Sequence, residues 1–157
     1  MEKSLETKEI RETDLLNNIK SAFELKDTDL RTYNPLTLAF IGDCVFEIIV
    51  RTIIVCKGNK STNALSKDKN SIVNAKMQSR IAEVLKDSFS EEEADIYRRG
   101  KNAKTANHSK SAAYNEYHKA TGLEAVFGYL YLSGRMDRCI ELLKTGLDMI
   151  EKSDKED

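Results

Sequence analysis

Apolar residues recur along most of this chain at the three-to-four-residue spacing of amphipathic helices. No segment alternates between apolar and polar residues for long enough to predict a strand. The firmest helix start is at Asn34-Pro35, where Asn34 can cap the helix and Pro35 fits its first turn. We expect this helix to end at about Lys57, because Gly58-Asn59 is a typical C-terminal stop. The pattern therefore predicts an all-α fold.

The same reasoning predicts further helices downstream. Ser61-Thr62 can cap a short helix, and Asn70 or Ser71 can open the next one. Ser90, followed three residues later by Glu93, forms a capping box. The predicted helices cover about 63–67, 70–85, 90–99, 112–132 (or from 117) and 136–150. A helical bundle of about six or seven helices follows.

The chain divides into one main domain with two short ends. Residues 1–30 are charged and net acidic with a weak helical pattern, so we expect an N-terminal extension that is a short helix or partly disordered. Residues 31–152 are expected to form the domain. Residues 153–157 are polar and are predicted to be a disordered tail.

Composition limits the classes of function. The 25 Lys and Arg residues nearly balance the 26 Asp and Glu residues, which excludes a wholly polybasic protein but permits a local basic patch. The three cysteines, Cys44, Cys56 and Cys139, are widely spaced and form no CxxC pair. A disulfide framework and a zinc site are therefore not expected, and a reducing cytoplasm is the better prediction.

The chain is not predicted to enter a membrane. Its first residues lack the apolar core of a signal peptide. The apolar run 36–55 is long enough to cross a bilayer, but it contains Asp43, Glu47 and Arg51. Each of these charges is unfavourable at membrane depth, so we predict no membrane association.

Two carboxylates stand in otherwise apolar helices. Asp43 follows Gly42 in a long apolar stretch, and Glu124 is the only charge in 121–132. Such a carboxylate is unfavourable unless it is paired, hydrogen-bonded or bound to a cation. Gly42 and Gly128 each suggest close approach of another helix or a ligand, since glycine inside a helix costs about 1 kcal/mol relative to alanine. If the helices cross at these glycines, both carboxylates could face one cavity and hold Mg²⁺.

Glu47 and Arg51 continue the polar stripe that begins at Asp43, at four-residue spacing. They could support the site. The spacing fits equally well with a surface stripe in which Glu47 and Arg51 form an ordinary ion pair.

A basic connection precedes the second acidic helix. It contains Arg98, Arg99, Lys101, Asn102, Lys104 and Lys110. Such a local cluster suits a polyanion such as RNA, with asparagine amides as additional donors. The alternative is a solvated loop whose cations complement the helix dipole. His108 and His118 are more typical of solvated or structural histidines, and neither is assigned a role in proton transfer.

The segment Phe40-Ile41-Gly42-Asp43-Cys44-Val45 resembles the signature helix of the ribonuclease III catalytic domain. The segment 123–132 resembles that family's second acidic helix. With the basic motif 98–104 between them, the pattern is closer to the Mini-ribonuclease III branch, which lacks a double-stranded-RNA-binding domain. The resemblance covers about residues 33–150.

The resemblance implies an all-helical, dimeric endoribonuclease that cleaves double-stranded RNA and leaves 5′-phosphate and 3′-hydroxyl ends. It implies that Asp43 and Glu124 are the catalytic, metal-binding residues, with Mg²⁺ as the cofactor and Mn²⁺ as a possible substitute. The loop from Arg99 to Lys110 matches the part expected to touch RNA. By the same resemblance the substrate is precursor 23S ribosomal RNA and the protein is a homodimer.

Departures from larger ribonuclease III enzymes fit the smaller branch. Leu36 and Ala39 stand where those enzymes carry two further glutamates, and Thr121 stands in place of an aspartate. With this thinner set, one firmly held Mg²⁺ is expected, and a second could arrive with the substrate. Two other functions remain open: a non-cleaving double-stranded-RNA-binding protein of the same fold, and a purely structural helical module.

Overall fold

The computed structural model describes residues 15–104 and 112–157, which form seven α-helices. Their bounds are α1 Leu15–Ala22, α2 Pro35–Lys57, α3 Thr62–Ile72, α4 Ala75–Leu85, α5 Glu91–Lys101, α6 Ala112–Leu132 and α7 Met136–Glu156. Short 3₁₀ turns occupy Leu30–Thr32 and Lys86–Ser88. The described residues contain no strand, so the predicted all-α fold is confirmed.

Local capping explains several helix starts. The Asn34 side chain accepts a hydrogen bond from the Leu36 amide at 2.9 Å, and Pro35 occupies the first turn of α2. Both hydrogen bonds of the capping box between Ser90 and Glu93 are present, at 2.9 and 3.1 Å. These starts were predicted correctly because each depends only on residues near the helix end.

The start of α4 differs from the prediction. Helix α3 extends to Ile72, so neither Asn70 nor Ser71 opens the next helix. Asn74 caps α4 instead, by accepting a hydrogen bond from the Met77 amide at 2.8 Å. The Ser71 hydroxyl donates to the Asp68 carbonyl at 2.6 Å and therefore belongs to the end of α3.

The C-terminal end of the chain is more ordered in the structure than the sequence suggested. Helix α1 agrees with the predicted short helix in the extension, although residues 1–14 lie outside the described part. Helix α7 continues to Glu156, where we expected a disordered tail over 153–157. An ion pair of 2.7 Å between Arg80 and Asp154 ties this last turn to α4.

Helix α6 is the centre of the bundle. Helices α2, α4 and α5 pack around it, and α7 packs mainly against α4. Its buried residues point in all directions, as is typical of a helix enclosed by neighbours. The Phe46 ring on α2 packs against the Phe127 ring on α6, with centroids 5.6 Å apart. No helix of the described segments has the length and apolarity needed to cross a membrane.

A buried ion pair fixes α5 to α7. The Glu93 side chain is 1% exposed and receives two hydrogen bonds of 2.9 Å from the Arg138 guanidinium. Arg138 also donates to the Ser88 carbonyl at 2.9 Å. Although burial opposes ionisation, these hydrogen bonds hold the pKa of Glu93 below its usual value.

Candidate active site

Helices α2 and α6 cross in backbone contact at two glycines. A Cβ atom built on Gly42 would lie 1.6 Å from the Glu124 carbonyl oxygen. A Cβ atom on Gly128 would lie 1.9 Å from the carbonyl oxygen of Leu38. Only glycine fits at these distances, because the obstructing atoms belong to the backbone and cannot turn aside. The crossing inferred from the two glycines is therefore present.

This crossing brings Asp43 and Glu124 into one electrostatic environment. Asp43 is exposed, whereas Glu124 is partly buried. Burial, and after it the charge of Asp43, raises the pKa of Glu124 to about 7. The energetic penalty that the sequence suggested for both carboxylates therefore falls mainly on Glu124.

Gln78 is a neighbour of Glu124 that was not identified from the sequence. Its side chain, on α4, is 4% exposed and partly opposes the rise in the pKa of Glu124. Its Nε2 has no partner at good hydrogen-bond geometry, so the interaction with Glu124 is a loose one. A signal was available: Gln78 lies three residues before Ile81 and seven before Leu85, on the buried face of α4.

The pair suits a hard divalent cation. Two carboxylates provide oxygen ligands, and a cation between them would offset both the burial of the Glu124 charge and its repulsion by Asp43, the two causes that raise the pKa of Glu124. Within residues 15–104 and 112–157, no group of three or more His, Cys, Asp or Glu side chains is arranged to hold a metal. The described residues thus supply two carboxylate ligands, which fits Mg²⁺ because this ion usually retains several waters.

The remaining residues of the polar stripe on α2 make ion pairs. The Arg51 guanidinium donates to Glu47 at 2.7 and 3.0 Å, and Lys69 on α3 lies 3.5 Å from the same carboxylate. The hydrogen bond from Arg51 is the main cause that lowers the pKa of Glu47. Glu47 therefore links α2 to α3 through Lys69, and its pair with Arg51 matches the ion-pair alternative. A supporting role for both residues at the site stays a prediction.

Thr121 faces the packing between α5 and α6. It is 7% exposed, and its hydroxyl donates to the Tyr117 carbonyl in its own helix at 2.9 Å. Its carbonyl oxygen lies 3.4 Å from where a Cβ atom on Gly100 would be. Thr121 thus helps to seat α5 against the helix that carries Glu124.

The cations at the end of α5 differ in what they contact. Arg98 pairs with Asp95 on the surface. Arg99 donates to the backbone carbonyls of Arg31 and Tyr33 at 3.2 and 3.0 Å, and it thereby anchors the segment before α2. Its guanidinium is thus engaged within the protein.

Lys101, Asn102 and Lys104 lie instead around an open cavity of about 250 Å³ between the end of α5 and the start of α6. The cavity is also lined by Asn115 and His118. Lys110 and His108, named in the sequence analysis, lie outside the described residues.

The fold and the paired carboxylates define a ribonuclease III domain, and the family model described as "Ribonuclease III domain" matches residues 36–135. The chain is 40% identical over 134 residues to a Mini-ribonuclease 3 from Thermoanaerobacter sp. (strain X514), covering 82% of this chain and 94% of that protein. It is 37% identical to the Mini-ribonuclease 3 of Staphylococcus aureus, covering 81% and 96%. The chain therefore belongs to the Mini-ribonuclease III branch of the ribonuclease III family and is an endoribonuclease.

A solved structure agrees with this assignment. A crystal structure of a Fusobacterium nucleatum protein aligns with a TM-score of 0.68 and 32% identity, covering 75% of this chain and 96% of that one. The family predicted from the two acidic motifs is thus confirmed.

Proposed function

We propose that this endoribonuclease cleaves double-stranded RNA with Mg²⁺ as its cofactor, and that its cellular substrate is precursor 23S ribosomal RNA. The observation that carries this proposal is the placement of Asp43 and Glu124 at the glycine crossing of α2 and α6. Mn²⁺ offers similar preferences for oxygen ligands and is proposed as a substitute.

Asp43 and Glu124 would hold the cation from opposite helices. When bound, Mg²⁺ supplies a water activated for attack and stabilises negative charge on the phosphodiester. The exposed Asp43 leaves the site open to a large substrate, and the partly buried Glu124 is held in place by the packed centre of the bundle. Since the pKa of Glu124 is about 7, the carboxyl must lose its proton before it acts as a ligand.

The basic residues at the end of α5 would bind the RNA backbone. We assign this role to Arg98, Lys101, Asn102 and Lys104, to Arg99 through its anchoring of the segment before α2, and to Lys110, which lies outside the described residues. Lys104 and Asn102 are exposed and Lys101 is half-buried, so their polar groups can reach phosphates. The wide, shallow minor groove of A-form RNA favours recognition by shape, ribose hydroxyls and phosphates.

We also propose that the enzyme is a cytoplasmic homodimer in which each subunit cuts one strand. Phe40, Ile48 and Val55 on α2 are 83%, 55% and 60% exposed. Their spacing places them along one side of the helix that carries Asp43. A second copy packed on this face would bury these side chains and bring two carboxylate pairs to one duplex.

The direct test is incubation of the protein with a long RNA duplex, first with Mg²⁺ and then with an excess of chelator. We expect cleavage only with the cation, with 5′-phosphate and 3′-hydroxyl ends on the products. A duplex that is shifted on a native gel but remains intact with Mg²⁺ would instead indicate a non-cleaving RNA-binding protein. If the long duplex is cleaved with Mg²⁺, we expect precursor 23S ribosomal RNA to be cut at a paired stem under the same conditions.

A further inference from the structure

The cavity between α5 and α6 has the chemistry of an anion site. Among the described residues, those that line it include two lysines, two asparagines, one tyrosine and one histidine, with no acidic residue. They are Lys101, Asn102, Lys104, Tyr114, Asn115 and His118. All six carry polar groups that can donate hydrogen bonds.

The two lysines are available to a ligand. Neither Lys101 nor Lys104 makes an ion pair within the described segments, in contrast to Arg98 and Arg99, which contact Asp95 and backbone carbonyls. Asn115 lies in the first turn of α6.

His118 supplies the second and independent observation. It is only 6% exposed, and its Nε2 is buried with no hydrogen-bond partner. The Tyr114 and Tyr117 rings flank the imidazole with centroids 4.0 and 5.5 Å away. His118 lines the same cavity as the two lysines, and its Nε2 is a buried polar atom whose hydrogen-bonding capacity is unsatisfied.

The cavity and the carboxylate pair share helix α6. His118 precedes Glu124 by six residues on α6, which corresponds to about 9 Å along the helix axis. The same helix thus positions both groups, on faces about 120° apart.

We propose that this cavity is a phosphate-binding subsite for the RNA backbone, in which His118 Nε2 donates to a phosphate oxygen beside Lys101 and Lys104. This inference rests on the proposed function, because the phosphate is taken to belong to an RNA substrate. It assigns to His118 a contact with substrate that is separate from the cation and from the reacting phosphodiester.

The first experiment uses NMR of the histidine ring nitrogens in the otherwise unaltered chain. The His108→Gln variant leaves His118 as the single histidine, because the sequence contains two. The protein is titrated with inorganic phosphate, and separately with a short RNA duplex in the presence of chelator. Sodium chloride at equal ionic strength is the control for salt.

A saturable change in the His118 Nε2 signal with the duplex supports the subsite, with or without a response to free phosphate. An unchanged His118 Nε2 signal at saturating duplex would overturn the subsite. A change with inorganic phosphate but none with the duplex would show that RNA is not the source of the bound phosphate. If the protein cleaves duplex RNA but the His118 Nε2 signal does not change on binding it, the inference fails and the proposed function stands. If His118 responds but no duplex is ever cleaved with Mg²⁺, the proposed function fails separately.

The second experiment measures duplex affinity in chelator. His118→Phe keeps an aromatic ring between the two tyrosines and removes Nε2, and we expect about tenfold weaker binding. His118→Gln retains a donor and should recover part of this loss. Lys144→Ala is the control, since Lys144 lies on α7 and pairs with Asp148. Equal affinity of the wild type and His118→Phe would contradict the proposal.

Discussion

At the scale of single residues, Glu124 has the most perturbed environment in the candidate site. Its pKa of about 7 exceeds the ordinary value of 4.5 because burial and Asp43 disfavour the charged form. The native state therefore binds this proton more tightly than the unfolded chain does. The contribution of Glu124 to the stability of the metal-free protein is therefore fully present below pH 4.5 and is lost as the pH rises through 7.

We therefore expect Glu124→Gln to stabilise the metal-free protein at pH 8, by up to roughly 3 kcal/mol, and to have little effect near pH 4.5. Urea unfolding in the presence of chelator at both pH values measures the difference. Glu151→Gln, at an exposed position near the end of α7, is the matched control and should change little. Equal effects of Glu124→Gln at both pH values would show that Glu124 is not destabilised by its charge.

The site residues differ in how far the sequence could predict them. Asp43 and Glu124 were identified because each is a charge in an apolar helix beside a glycine. The exposure of Asp43 was not predicted, since apolar residues surround it in sequence on both faces of α2. Gln78 was missed because a glutamine in an amphipathic helix looks like a surface residue unless its register with Ile81 and Leu85 is followed.

At the scale of elements, the crossing of α2 and α6 has no room for a side chain at Gly42. We expect Gly42→Ala to abolish cleavage and to unfold or strongly destabilise the protein, because the new Cβ would meet the Glu124 carbonyl. Gly58→Ala is the control, since no atom lies within 4 Å of a Cβ there. Thermal melts and a cleavage assay on both variants test this. A Gly42→Ala protein of normal stability would contradict the close crossing.

The buried ion pair between Glu93 and Arg138 holds helices α5 and α7 together. Arg138→Ala leaves Glu93 buried without its partner, so we expect a loss of about 3–5 kcal/mol in the free energy of unfolding. Arg98→Ala removes a surface pair with Asp95 and should cost less than about 1 kcal/mol. Urea denaturation at neutral pH compares the two. If both variants lose a similarly small free energy of unfolding, the pair between Glu93 and Arg138 contributes little to stability.

Helix boundaries were predictable where a cap is local. The starts at Asn34 and Ser90 follow from side-chain hydrogen bonds within three residues. The start of α4 was misplaced because Asn70 and Asn74 are both good caps, and tertiary packing decides between them. The helical end of α7 could not be predicted, since it pairs with Arg80, 74 residues away in sequence.

For the whole molecule, the exposed apolar side of α2 is the face on which we propose that a second copy packs. We expect the wild type to be a dimer by light scattering after size-exclusion chromatography, and Phe40→Glu to be a folded monomer. Ile140→Glu is the control, because Ile140 is 50% exposed on α7, away from this face. A monomeric wild type, or a Phe40→Glu variant that stays dimeric, would contradict the proposed interface.

The fold class was predictable because helical spacing persists along the chain and turn residues are scarce. The family could be predicted because two acidic motifs occur in the family's order along the chain, with a basic motif between them. The sequence could not show that α2 has two apolar sides with different roles, one packed on α6 and one exposed. Likewise the cavity beside His118 depends on how the end of α5 meets the start of α6, which no local pattern specifies.

We propose that Asp43 and Glu124 together hold the cation on which cleavage of RNA depends. The most direct measurement is the single-turnover cleavage rate of an RNA duplex with Mg²⁺ for Asp43→Asn and Glu124→Gln, with Asp137→Asn as an exposed control. We expect each site variant to lose about a thousandfold or more in rate while still folding and binding the duplex, and the control to cut normally. Near-normal cleavage by either site variant would contradict the claim.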